Sequence, residues 1–63
     1  MISLYADTAN VKAMVAALRK VGLPVESTTT THTLTLRGRV VFEATKAPEG
    51  IWSVKHHPAM FQQ

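Results

Sequence analysis

The stretch from Thr8 to Gly22, TANVKAMVAALRKVG, constrains the fold of this chain more than any other segment. Val11, Met14, Val15 and Leu18 recur at the spacing that places them on one face of an α-helix, with Val21 at the edge of that face. Asp7 and Thr8 each offer a side-chain oxygen to the free N–H groups of the first turn. Arg19 and Lys20 fall in the last turn, where positive charge complements the helix dipole. Gly22 is suited to the left-handed residue that follows a helix, and Pro24 prevents a restart. Such a helix must bury its apolar stripe against something, and the rest of the chain has the character of a sheet.

Met1 to Ala6, MISLYA, alternates with period two and is expected to be a first strand. Val25 to Leu36, VESTTTTHTLTL, is rich in β-branched residues and reads as one long, partly exposed strand that can break or bulge in the threonine run at 28 to 31. Arg39 to Thr45 is the next strand. A two-residue loop at Arg37-Gly38 would pair Leu36 with Arg39 and Thr33 with Phe42, mixing the faces. A three-residue connection, Arg37-Gly38-Arg39, pairs Leu36 with Val40, Leu34 with Phe42 and His32 with Ala44, and keeps one face apolar, so this register is expected. Ala47-Pro48-Glu49-Gly50 carries a type I turn signature, and Ile51 to His56 is the last strand, with Trp52 and Val54 on one face. Pro58 ends it, and residues 58–63 are expected to form a loose tail from which Phe61 can fold back. The predicted fold is therefore α+β, in the order β-α-β-β-β. It is a single small domain spanning 1–63, with one amphipathic helix packed on a small, mostly antiparallel sheet of three or four strands.

The length limits what this domain can do alone. Sixty-three residues bury only about 60% of their unfolded surface, and there is no cysteine to staple them. A homodimer or a larger protein partner is the natural supplement. The 46% apolar content is that of a globular chain. Without a basic leader or an apolar run of roughly 18 to 20 residues, a cytoplasmic protein with no membrane contact is expected. The net charge of +3 favours acidic partners, nucleic acid included.

Sequence motifs offer little catalytic chemistry. His56 and His57 are adjacent and would point to opposite faces of a strand. His32 lacks a neighbouring cysteine or carboxylate with ligand spacing, so no metal or cofactor is expected. No serine lies in a nucleophile elbow. Asp7, Glu26, Glu43 and Glu49 form no pair for acid–base work. The glycines are isolated rather than gathered in a phosphate loop. The expected protein is thus not an enzyme. Arg37 and Arg39 flank a hairpin tip where two guanidinium groups can clamp an anion. Lys55, Lys12 and Arg19 could extend that cationic surface, while Phe42 and Trp52 are expected inside.

Two resemblances are local. Ile2 to Ala6 together with Arg37-Gly38-Arg39-Val40-Val41-Phe42 resembles the paired ribonucleoprotein motifs of the RNA-recognition motif family, which implies base stacking on outward aromatics. The chain carries arginine at 39 where that family has an aromatic, and it lacks the second helix. Leu18-Arg19-Lys20-Val21-Gly22 leading to His32 is similar to the HicA-type mRNA interferase toxins, which implies a catalytic role for His32. Here Thr30-Thr31-His32 stands where those toxins have Gly-Ser-His, and the final helix is missing.

The favoured function is a non-enzymatic protein-binding module of the phage or mobile-element accessory or inhibitory kind, engaging its partner through a sheet edge and the Arg37–Arg39 tip. The alternative is a small basic nucleic-acid-binding module using Arg37, Arg39, Lys55 and the helix cations. A HicA-like ribonuclease is third. The Thr-rich strand and Ile51 to His56 are the expected sheet edges.

Overall fold

A computed structural model describes residues 1–61. The helix-on-sheet α+β architecture is the observed one. The elements are β1 (Ile2–Ala6), α1 (Thr8–Lys20), β2 (Glu26–Ser27), β3 (Thr31–Leu36), β4 (Arg39–Lys46) and β5 (Trp52–His56). They form one five-stranded antiparallel sheet in the spatial order β1-β5-β4-β3-β2.

The helix ends follow the local sequence. The Asp7 carboxylate accepts from the Asn10 N–H at 2.8 Å, so Asp7 is the N-cap and Thr8 is free for another contact. At the other end the Gly22 N–H donates to the Arg19 carbonyl and the Leu23 N–H to that of Leu18, with Gly22 at φ +88°. These two bonds form a Schellman motif, which satisfies carbonyls the helix itself cannot. Leu23 turns back against the core.

The core lies between the helix and one sheet face. Val11, Val15 and Leu18 pack with Leu34, Phe42, Ala44, Trp52 and Val54, all buried. Strand alternation explains the sheet members. Across the sheet, Leu34 faces Phe42, while Ala44 lies between His32 and Val54. Trp52 and Val54 share their face with His56, which is also buried although it is a histidine at a strand end.

Three expectations need correction. First, the threonine run does not continue a strand but reverses it. The Thr28 hydroxyl accepts from the Thr30 and Thr31 N–H groups, and the Thr28 N–H donates to the Thr31 carbonyl. Side-chain oxygens that capture nearby backbone donors favour a turn over a ladder. The expected long strand thereby becomes a short hairpin, β2 on β3, and the sheet has five strands.

Second, the β3–β4 connection is the two-residue loop Arg37-Gly38, with both residues at positive φ (52° and 76°), as a type I′ turn requires. Leu36 pairs with Arg39 and Thr35 with Val40. A bulge then restores Leu34 opposite Phe42 and His32 opposite Ala44, the pairs expected from hydrophobic patterning. The extra residue is Val41, whose carbonyl accepts from the His57 N–H at 2.8 Å. A good turn and a consistent apolar face thus coexist, because one bulged residue absorbs the mismatch.

Third, the sheet edges are β1 and β2. Of the expected Thr-rich edge, the part that is β2 is an edge, but β3 lies between β4 and β2, and β5 lies between β1 and β4. The Ala47–Gly50 turn forms as expected, closed by the Gly50 N–H to the Ala47 carbonyl. Beyond β5, Phe61 meets Phe42 and His56 edge-on, with ring centroids 6.0 and 5.3 Å away. The part of the expected tail comprising Gln62 and Gln63 lies outside the described residues. Among the described residues, no helix is long and apolar enough to cross a membrane.

Candidate functional site

The hairpin tip is the best-formed candidate. Leu36, Arg37, Arg39, Val41 and His57 line one open groove. Its shape follows from the two backbone features just described. The tight turn holds Arg37 and Arg39 only two residues apart, and the Val41 bulge brings the chain after β5 alongside β4. His57 is thereby set beside the arginines. Its Nδ1 accepts from the Ala59 N–H at 3.0 Å, which leaves Nε2 as the protonated, donating nitrogen of the neutral ring. The lining is thus a short apolar floor with two guanidinium groups and an imidazole, and the described residues that line it include no carboxylate. Such a surface suits an oxyanion carried on an apolar stem.

The other predicted contact residues lie elsewhere. Lys55 is on the open sheet face, between Ser3 of β1 and Glu43 of β4. Lys12 is exposed on the helix, which covers the opposite face. Arg19 is spent internally, its Nη2 donating to the Val25 carbonyl at 3.1 Å and to Ser27 Oγ at 2.8 Å. The structure therefore brings Arg37 and Arg39 together, and neither Lys55 nor the helix cations line their groove.

Arg19 belongs to a second polar cluster, built around His32. Ser27 Oγ lies 2.6 Å from His32 Nδ1. Arginine can only donate, so the Ser27 hydroxyl accepts from Arg19 and keeps its proton available to an unprotonated Nδ1, while its second lone pair can accept from a protonated one. Burial first, and then the Arg19 charge, lower the His32 pKa below its usual value, in keeping with a neutral ring. The imidazole stacks on Trp52 with centroids 5.1 Å apart, and the indole N–H donates to Thr8 Oγ1 at 3.0 Å. A chain of contacts therefore ties the helix end at Arg19 to the β2–β3 hairpin, crosses the sheet through His32 and Trp52, and returns to the helix start at Thr8. The cluster braces the fold. It engages the Nδ1 atom and one ring face of the histidine that the toxin resemblance would make catalytic.

Burial of aromatics bears on the other resemblance. Phe42 is fully buried and Trp52 nearly so, both on the helix side. The open face carries Ser53, Lys55, Glu43 and Thr45 on its central strands, and its exposed aromatic, Tyr5, stands on the edge strand β1. Among the described residues, no three His, Asp or Glu side chains gather as metal ligands would. His57 is the groove residue that sequence reasoning missed. Its place follows from the observed β4–β5 ladder, in which Phe42 pairs with His56 and the His57 N–H donates to the Val41 carbonyl. Comparison of this chain with protein-family models, with curated proteins and with solved structures finds no match.

Proposed function

We propose that this protein is a non-enzymatic binding module whose groove at the Arg37-Gly38-Arg39 tip takes an acidic segment of a partner protein. The observation that carries this reading is the backbone of Arg37. It sits at φ +52° in a turn position that favours glycine or asparagine, and it opens onto the groove it shares with Arg39 and His57. A side chain in the left-handed region costs roughly 1 kcal/mol relative to glycine, and such strain collects where a residue is needed for contact. Leu36 and Val41 supply an apolar floor beside the cations, which suits a carboxylate next to an apolar side chain better than a bare phosphate backbone. The inward placement of Phe42 and Trp52 leaves Tyr5 as the exposed aromatic of the open face, a small stacking surface for single-stranded nucleic acid. A module that occupies a partner's surface in this way could serve as an accessory or inhibitory protein of the phage type.

The test uses a displayed library of random peptides. Wild-type protein should enrich peptides that pair Asp or Glu with an adjacent large apolar residue. An Arg37→Asn, Arg39→Ser variant should lose that enrichment, while Arg37→Asn alone raises thermal stability. Enrichment of nothing acidic would remove the proposal. Oligonucleotide binding that falls steeply with salt would replace it with the nucleic-acid reading.

A further inference from the structure

The two edges of the sheet are unlike in a way that points to a second copy of the chain. β2 is two residues long and carries Glu26, both of which discourage pairing with another strand. β1 has none of the usual protection. It spans five residues, Ile2–Ala6, without a charge, a proline or a bulge, and its outer side is unpaired in the sheet. Exposed apolar surface gathers at the same place. Met1, Ile2 and Tyr5 are 61%, 44% and 81% exposed, and Phe61 packs on His56, the cross-strand neighbour of Ile2. We propose that two copies of this protein pair antiparallel along β1, centred on Leu4, to form a continuous ten-stranded sheet with both helices on one face.

The geometry selects this arrangement. Two identical strands that extend one sheet antiparallel are related by a two-fold axis normal to it, which keeps each side chain on its own face. Facing residues must then share a face, so the axis passes through a residue and not between two. Leu4 is the centre that pairs all five positions. Ile2 then faces the partner's Ala6, Leu4 faces the partner's Leu4, and Ser3 faces the partner's Tyr5. The core-side row becomes wholly apolar and continues the cluster that Leu4 already borders. The strand is complementary to itself and offers no pocket or charge by which a foreign strand would be preferred. A five-residue strand is about 17 Å long, so the contact is below the size of a stable interface and the dimer dissociates on dilution.

Sedimentation velocity across a concentration series tests this. Wild-type protein should shift from monomer to dimer as concentration rises, and the dimer should persist at high salt because the five paired residues carry no charge. Ser3→Lys with Tyr5→Lys places like charges opposite one another twice and should weaken self-association roughly tenfold or more. Ser3→Glu with Tyr5→Glu should do the same. Mixing the two variants should restore a dimer of mixed composition. All four substitutions fall at exposed positions, and circular dichroism checks that each variant is folded. Wild-type protein that stays monomeric throughout, a dimer that survives the lysine substitutions, or a mixture that fails to pair would each overturn the proposal.

Discussion

The two faces of the sheet are built from alternate residues of the same strands, yet they obey different rules. On the helix side, Leu34, Phe42, Ala44, Trp52 and Val54 are buried, and the polar groups among them are matched, as in the Trp52–Thr8 and Ser27–His32 bonds. On the open side, Thr33, Glu43, Thr45, Ser53 and Lys55 occupy the intervening positions. One face therefore carries nearly all the packing free energy of a chain with little to spare. The other carries exposed or half-buried polar side chains, where substitutions should cost little. The lesson is that a sheet covered on one side concentrates its stability in a single row per strand, and what remains is surface available for contact.

Adjacent residues on β4 give the largest contrast. Phe42→Ala should cost about 3–5 kcal/mol, against a total stability of about 3–9 kcal/mol for a chain of this length. That variant should be largely unfolded in a urea titration followed by Trp52 fluorescence. Glu43→Ala, one position along and on the open face, should stay within about 0.5 kcal/mol of wild type. Equal losses at the two positions would mean that the open face is covered in solution.

A smaller effect is expected at the polar rim of the covered face. Thr8→Val keeps shape but leaves the indole N–H of Trp52 without its acceptor, and should cost about 1–3 kcal/mol in the same titration. An unchanged midpoint would show that water replaces the hydroxyl and that the rim is wetter than its burial suggests.

The smallest effect is pH dependence at His32. Its pKa is lowered in the folded chain, so the unfolded chain binds the proton more readily. The stabilising contribution of the neutral ring is therefore complete above the unfolded value of about 6.5, and it is lost as pH falls through the folded pKa. Melting temperature should drop across that window. Arg19→Gln should flatten the drop by removing the neighbouring charge, and His32→Gln should remove this component. A profile identical in all three proteins would detach His32 from the acid response.

Legibility varied with how local the determining interactions were. The helix, its start at Asp7 or Thr8, its Gly22 end and the Ala47–Gly50 turn were all readable, because each depends on residues within one turn of one another. The core members Leu34, Phe42, Trp52 and Val54 were readable from alternation. The pairings Leu34–Phe42 and His32–Ala44 were likewise expected, yet the loop that delivers them was not. Patterning constrains faces only in whole residues, and it cannot reveal a bulge that shifts the ladder by one. The Thr28–Thr31 reversal was hidden by composition, since threonine favours strands on average while its hydroxyl can also close a turn. At the candidate site, the proximity of Arg37 and Arg39 followed from the chain itself. His57 was reached only through the β4–β5 pairing, and Arg19 was lost to an internal bond that no spacing announces.

By itself, then, the order of residues determined an amphipathic helix, a set of β-forming runs, and which side of each run prefers to be dry. These are short-range consequences of side-chain shape and periodicity. The tertiary structure alone decided that β1 returns to pair with β5, that β1 and β2 become the edges, and that His57 joins two arginines beside a bulge. Those outcomes depend on strands far apart in the chain competing for the same backbone partners. That competition is settled by the packing of the whole sheet against one helix.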